Sequence, residues 1–263
     1  MDRKCVFYNI NLDITDLQGV LARCSDFFKS ERAQTIFFLN AHCFNTAQKN
    51  REYRDAINSS DLLLNDGVGI KIASLLSGLS LRENLNGTDL IPEILKLAAR
   101  NNKRVYFLGG LEGVAEKASV NVKRSLPGLD IAGSHTGFFG TDDEKDLIDK
   151  IEESGAELLI IGMGVPRQEL WAVRNKQLLK KVKIIIAGGA ILDFLSGRIK
   201  RAPLWLRKVG MEWLYRLYIE PSRMWKRYIP GNFIFFINLF KIRFLGVGVP
   251  ATHVQAEEIP PER

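Results

Sequence analysis

Asp66 stands between the apolar run Leu62-Leu63-Leu64 and the turn Gly67-Val68-Gly69. A carboxylate at such a strand-to-helix junction faces the edge where α/β proteins bind ligands, and could take a proton from an attacking hydroxyl. The dipole of the following helix acts to lower its pKa, so a base at this point needs an opposing influence such as partial desolvation. The same Asp-Gly pair also suits a plain helix N-cap. A second polar segment, Gly162-Met163-Gly164-Val165-Pro166-Arg167-Gln168-Glu169, follows another apolar run. Gln168 and Glu169 there open a helix and could hydrogen-bond the hydroxyls of a ligand, or simply occupy a first turn. Asp193, after Gly188-Gly189, shares that ambiguity.

These residues need a scaffold that gathers them. Apolar runs at Thr35–Leu39, Leu62–Leu64, Val105–Leu108, Leu158–Met163 and Lys183–Ala187 read as buried strands. Helical spacing lies between them at Gly67–Leu76, Asp89–Arg100 (with Thr88 as N-cap), Val114–Ser125 and Asp142–Glu153, where Thr141 and Glu144 have capping-box spacing. Short strands alternating with helices predict an α/β fold, a Rossmann-like, mostly parallel sheet with helices on both faces. Right-handed crossovers then collect the strand C-termini along one edge. The polar and glycine-rich segments fall at those ends: Asn40-Ala41-His42, Asn65–Gly69, Gly109-Gly110, Gly162–Gly164 and Gly188-Gly189. Their coincidence at one edge predicts a nucleotide or another phosphorylated ligand, because glycine admits close approach and helix N-termini offer N–H groups to phosphate.

The chain has 263 residues and a net charge of +7. Between Arg198 and Arg243 there are eleven Lys or Arg and two acids, so that segment carries +9 and the remainder −2. Such asymmetry points to a polyanionic partner. We divide the chain into a catalytic domain (1–195), a basic, aromatic, helical appendage (196–250) and a disordered tail (251–263). In the appendage Pro203, Trp205, Trp213, Trp225 and Tyr228 alternate with Arg201, Arg207, Lys208, Arg216, Arg223 and Arg227, ahead of the apolar run Phe233–Phe240. Aromatic and aliphatic residues flanked by cations suit the headgroup region of an anionic membrane, although a helix packed on the core would share the pattern. No run of 18 apolar residues would span a bilayer, and the N-terminus lacks a signal-peptide core. Cys5, Cys24 and Cys43 form no CxxC pair, and His42, His135 and His253 have no metal spacing. His42 adjoins the first loop and could touch a ligand. With no acidic pair at a strand end, since Asp142-Asp143 reads as a helix start, arginines are expected to handle ligand charge instead of a metal.

Ordered motifs along most of the chain resemble the WecG/TagA/CpsF glycosyltransferases. The resemblance runs from about Thr35 to Tyr228. It is carried by Leu39-Asn40-Ala41, Asn65–Gly69, Asn86–Leu90, Phe107–Gly110, Pro127–Leu129, Gly137–Phe139 and Gly162–Trp171. Further on it includes Gly188-Gly189, Asp193-Phe194, Gly197, Arg201–Pro203, Glu212–Leu217, Glu220-Pro221, Arg223 and Arg227-Tyr228. This resemblance implies an inverting, metal-independent enzyme without cofactor. It would move a hexose from a UDP-sugar to a polyprenyl-diphosphate-linked sugar in cell-surface polymer synthesis. UDP-glucose, UDP-N-acetylmannosamine and its uronic acid remain open as donors. Asp66 takes the position of the general base, and Asn40 and Gln168 lie at the site. Arg216, Arg223 and Arg227 belong to an appendage that completes the site and meets pyrophosphate. Together with Gly110, Glu169, Asp193 and Arg201 they form the expected substrate-binding set. The same resemblance implies peripheral attachment at the cytoplasmic face of the membrane, in a protein compatible with homo-oligomers.

Two positions depart from the family pattern. Asn65 stands where many members have a proline before the Asp-Gly pair, and Asn84 where many have an arginine three residues before Gly87, leaving Arg82 or another residue to substitute. Two other readings are disfavoured. A nicotinamide-dependent oxidoreductase would need more than Gly109-Gly110 and Gly113. A nucleic-acid-binding protein would leave the strand-end loops without a purpose.

Overall fold

The computed structural model describes residues 3–245, so the tail at 251–263 and His253 lie outside the described residues. The chain opens with a hairpin, β1 (Arg3–Phe7) and β2 (Ile10–Ile14), followed by α1 (Leu17–Phe27). Then come β3 (Gln34–Leu39), α2 (Ala41–Lys49), α3 (Arg51–Asn58), β4 (Leu62–Asn65), α4 (Val68–Leu76) and α5 (Gly87–Arg100). These are followed by β5 (Arg104–Gly109), α6 (Val114–Ser125), β6 (Asp130–His135), α7 (Glu144–Ser154), β7 (Leu158–Gly162) and α8 (Arg167–Asn175). The described chain closes with β8 (Ile184–Ala187), α9 (Ile191–Leu195), α10 (Leu204–Lys208), α11 (Glu212–Ile219) and α12 (Pro221–Leu245).

Six parallel strands form one sheet in the order β4-β3-β8-β7-β5-β6. The fold is α/β and Rossmann-like. Alternation along each strand splits the core between the two faces. Phe37, Leu39, Leu159, Ile161, Ile185 and Ala187 pack on one side with α2, α3, α8 and the hairpin. Ile36, Phe38, Leu158, Ile160, Ile184 and Ile186 pack on the other with α1, α5, α6 and α9. Strands buried on both faces have few polar positions, and these lie at strand ends, which is why the strands read as nearly continuous apolar runs.

The hairpin was not evident in the sequence, and neither were α1, α2, α3 or β6. Its polar and apolar residues do not alternate cleanly, because β2 packs against the edge of β4. Buried Asp13 accepts the Leu63 N–H at 2.9 Å and pairs with Arg23 at 3.2 Å. That covers part of a sheet edge that would otherwise be open.

Two local expectations are corrected. Asn86, not Thr88, caps α5, its side chain accepting the Asp89 N–H. The Thr141/Glu144 capping box does not form: α7 starts at Glu144, whose carboxylate receives Asn175 Nδ2 at 2.7 Å. Asp66 is not the cap of α4 either; that position is Gly67 at φ +90°.

The appendage packs on the body through one face of α12. Phe235 is fully buried and meets Phe44 edge to face at 5.2 Å. Asn45 of α2 donates to the Gly231 carbonyl at 2.7 Å and accepts from Asn238 at 3.1 Å. The apolar run Phe233–Phe240 therefore divides. Phe235 and Leu239 are core, whereas Phe233, Phe236, Phe240 and the following Phe244 are exposed, as are Trp225 and Ile229. At 100° per residue those six exposed positions fall within about one 100° stripe along α12. No helix among the described residues is long and apolar enough to cross a membrane.

Candidate active site

The C-terminal ends of β3, β4, β5, β7 and β8 surround a cleft of about 760 Å3, closed on one side by α11 and α12. That volume suits a ligand of nucleotide-sugar size. Asn40, Asp66, Gly110, Gln168, Glu169, Asp193, Arg216, Arg223 and Arg227 all line it. Arg201 does not: it lines a smaller neighbouring cavity, where it ties the appendage to α5. Its Nη1 donates to Asp89 Oδ1 at 2.7 Å and its Nε lies 3.6 Å from Glu212 Oε1.

Asp66 leaves β4 with its N–H bonded to the Leu39 carbonyl at 2.8 Å, continuing the ladder one step beyond the strand. Asn40 does two jobs from the end of β3. Its Oδ1 caps α2 through the His42 and Cys43 amides, both at 3.1 Å, and its Nδ2 donates to Asp66 Oδ2 at 3.3 Å. Burial raises the Asp66 pKa above the usual carboxylate range, opposed by the Asn40 hydrogen bond and the charges of Arg227 and Arg216, with Glu212 adding to the rise. This is the influence that a base beside a helix N-terminus requires. His42 also lines the cleft; burial, then the Arg227 charge, push its pKa down to about 4, so it is neutral at physiological pH.

Gln168 and Glu169 are almost fully buried, at 2% and 1% exposure, under the turn after β7. Burial raises the Glu169 carboxyl to about 7, against the hydrogen bond from Gln168. Its Oε2 has no hydrogen-bond partner within the protein.

Cations gather on the appendage side. Arg198 Nε donates to Asp193 Oδ1 at 2.7 Å, and Arg223 lies 3.7 Å from Asp193 Oδ2 and 3.2 Å from Glu220 Oε1. Arg216 stacks over Phe194 at 5.4 Å and faces Glu220 at 3.8 Å, with Nε and Nη2 buried and making no hydrogen bond. A buried guanidinium without full hydrogen bonding carries unmet donors at the wall of the cleft. Sequence reasoning missed Arg167, Arg198 and Lys226, which line the same cleft. A lone basic residue carries no signal of which way it points. Arg198 alone offered one, standing five residues after Asp193 across a glycine.

The two departures from the family pattern have one explanation. Buried Asn65 donates to the Glu83 carbonyl at 2.8 Å, and Asn84 Oδ1 accepts the Gly67 N–H at 2.8 Å. Together they stitch residues 83–84 to the end of β4 and the turn that starts α4. Arg82 pairs with Asp16 at 3.2 Å. Among the described residues no three His, Cys, Asp or Glu side chains gather as a metal site would require.

The chain is similar in sequence to known glycosyl transferases. The profile described as "Glycosyl transferase WecG/TagA/CpsF family" matches residues 5–246. An N-acetylglucosaminyldiphosphoundecaprenol N-acetyl-beta-D-mannosaminyltransferase of Bacillus spizizenii is 34% identical over 69% of this chain and 69% of its own length. Enzymes with the same description from Bacillus subtilis (32% identity, 69% of each chain) and Staphylococcus aureus (29% identity, 85% of this chain and 86% of theirs) are also similar. On that match and those relatives, the chain belongs to the WecG/TagA/CpsF family of glycosyl transferases.

Proposed function

We propose that this chain transfers N-acetylmannosamine from its UDP donor to a sugar carried on a polyprenyl diphosphate, with inversion at the anomeric carbon. The observation that carries the reading is the juxtaposition in one cleft of a desolvated carboxylate, Asp66, and under-bonded arginines, Arg216 above all. The choice of sugar rests on the relatives, whose names specify N-acetyl-beta-D-mannosaminyl transfer to N-acetylglucosaminyldiphosphoundecaprenol.

Asp66 removes the proton from the acceptor hydroxyl as its oxygen bonds to the anomeric carbon. The bond from that carbon to the UDP oxygen breaks on the opposite face, and UDP leaves with the bonding electrons. Asn40 fixes one oxygen of the carboxylate and leaves the other for the hydroxyl. Arg216, Arg223 and Arg227 stabilise the charge that develops on the leaving diphosphate, aided by backbone N–H groups at the glycine turns. Cationic stabilisation of this kind asks for no divalent metal. The exposed aromatic stripe of α12, with Lys241 beside it, rests on an anionic membrane at its cytoplasmic face, where it delivers the lipid-linked acceptor to the cleft.

The test is a donor panel with a short-chain polyprenyl-diphosphate N-acetylglucosamine acceptor, in EDTA, read by mass spectrometry. We expect one N-acetylmannosamine to be added from its UDP donor. Equal transfer of glucose would overturn the donor assignment, and loss of transfer on chelation would overturn the metal-free mechanism.

A further inference from the structure

Gln168 sits where a ligand-binding residue is expected, yet its amide makes three hydrogen bonds within the protein. Oε1 accepts two backbone N–H groups, from Gly164 at 3.2 Å and from Gly189 at 3.1 Å. Nε2 donates to Glu169 Oε1 at 2.8 Å. Gly164 and Gly189 lie in the turns that follow β7 and β8, neighbouring strands paired through Ile161 and Ala187. Both glycines have left-handed backbone, at φ +83° and +60°, and a Cβ at either would meet nothing within 4 Å. Neither glycine has a side chain of its own to hold its turn to the other, and the carboxamide of Gln168 bridges the two amides.

We infer that Gln168 is a positioning residue, a clasp that fixes the turns after β7 and β8 relative to each other, with Glu169 setting the orientation of its amide. An amide has two orientations of nearly equal shape. The reversed one would press an NH2 group against two N–H donors. The Glu169 oxygen accepts from Nε2 and so selects the orientation in which Oε1 faces both glycines. This explains why a carboxyl is kept in a nearly water-free position beside the cleft. Both turns line the cleft, so the clasp sets the floor on which the ligand lies.

The inference is tested by exchanging the two groups. Gln168→Glu keeps an acceptor for Gly164 and Gly189 but sets a second carboxyl against Glu169. The double variant Gln168→Glu/Glu169→Gln reverses the pair: the carboxylate introduced at 168 accepts both glycine amides, and the amide introduced at 169 donates to its other oxygen. Hydrogen–deuterium exchange is followed in the peptides covering 162–168 and 187–191 of the full chain, without substrate. Read at pH 9, above the Glu169 pKa of about 7 so that both carboxyls are ionised, Gln168→Glu should raise exchange of both segments together, by about tenfold, with the double variant returning to within about twofold of the parent. Exchange in the double variant as fast as in Gln168→Glu would overturn the clasp. So would Gln168→Ala raising the donor KM while leaving both segments as protected as in the parent. The exchange readout needs no transfer reaction, so a failure here is distinct from a failure of the proposed activity.

Discussion

Asn40 Nδ2 donates to Asp66 Oδ2 at 3.3 Å, joining the ends of β3 and β4 at the cleft, while Oδ1 of the same amide caps α2. One side chain thus anchors a helix and tunes a carboxylate. The hydrogen bond favours the charged form of Asp66, whereas burial disfavours it. Removing the bond must raise the Asp66 pKa further. In Asn40→Ala the acid limb of the kcat/KM profile should move to higher pH, and losing the α2 cap should cost about 1 kcal/mol of stability. An unmoved acid limb, measured between pH 4 and 8, would mean that Asp66 does not report on the rate.

Glu169 offers a pH test of stability. Its folded-state pKa lies near 7 instead of 4.5, so the folded chain holds the proton more tightly than the unfolded chain does. Stability contributed by this group is present at low pH and lost as pH rises from about 4.5 through about 7. Glu169→Gln still accepts from Gln168 and has no charge to desolvate. Its melting temperature should match the parent near pH 4.5 and exceed it at pH 8, by the equivalent of roughly 3 kcal/mol. A constant difference across that range, by calorimetry, would contradict the raised pKa.

The two faces of α12 should separate under mutation. Phe235 is fully buried against Phe44. Phe235→Ala should cost about 3–5 kcal/mol of docking and stability, seen as early proteolysis within residues 221–245. Phe233 and Phe240 are exposed. Replacing both with Ser should leave the melting temperature unchanged and abolish flotation with anionic vesicles. Unchanged flotation would remove the stripe from the membrane.

Glycines at the cleft differ in what they tolerate. A Cβ on Gly109 would lie 2.5 Å from the Gly162 carbonyl, which is backbone of the adjacent strand and cannot step aside. Gly113 has a similar left-handed need but open space around it. Gly109→Ala should lose more than about 4 kcal/mol, and Gly113→Ala only about 1–2, by denaturant titration.

Much of this was legible in the sequence because the central strands are buried on both faces. Runs such as Ile36–Leu39 and Leu158–Ile161 admit no polar residue, and each ends at a glycine, asparagine or aspartate where the chain must turn. The hairpin was not legible because Asp13 is buried within it, its carboxylate serving the Leu63 N–H of another strand. Asn86 was passed over as a cap because Thr88 offers a similar side chain two residues later, and only the observed hydrogen bond to Asp89 N separates them. In the site, residue types and places at strand ends predicted which side chains share the cleft. They did not predict that the Gln168 amide turns inward, since a hydrogen bond to Gly189, 21 residues away, leaves no local trace. Nor did they predict that Arg201 serves the appendage hinge, because its partners Asp89 and Glu212 come from separate elements.

The central claim is that Asp66 acts as the base in sugar transfer within this cleft. The most direct measurement compares single-turnover transfer by the parent and by Asp66→Asn, alongside UDP binding by calorimetry. We predict that the variant binds UDP within about threefold of the parent and loses transfer by about 10²–10⁴-fold. Transfer at near-parent rates by a variant that still folds and binds UDP would contradict the account.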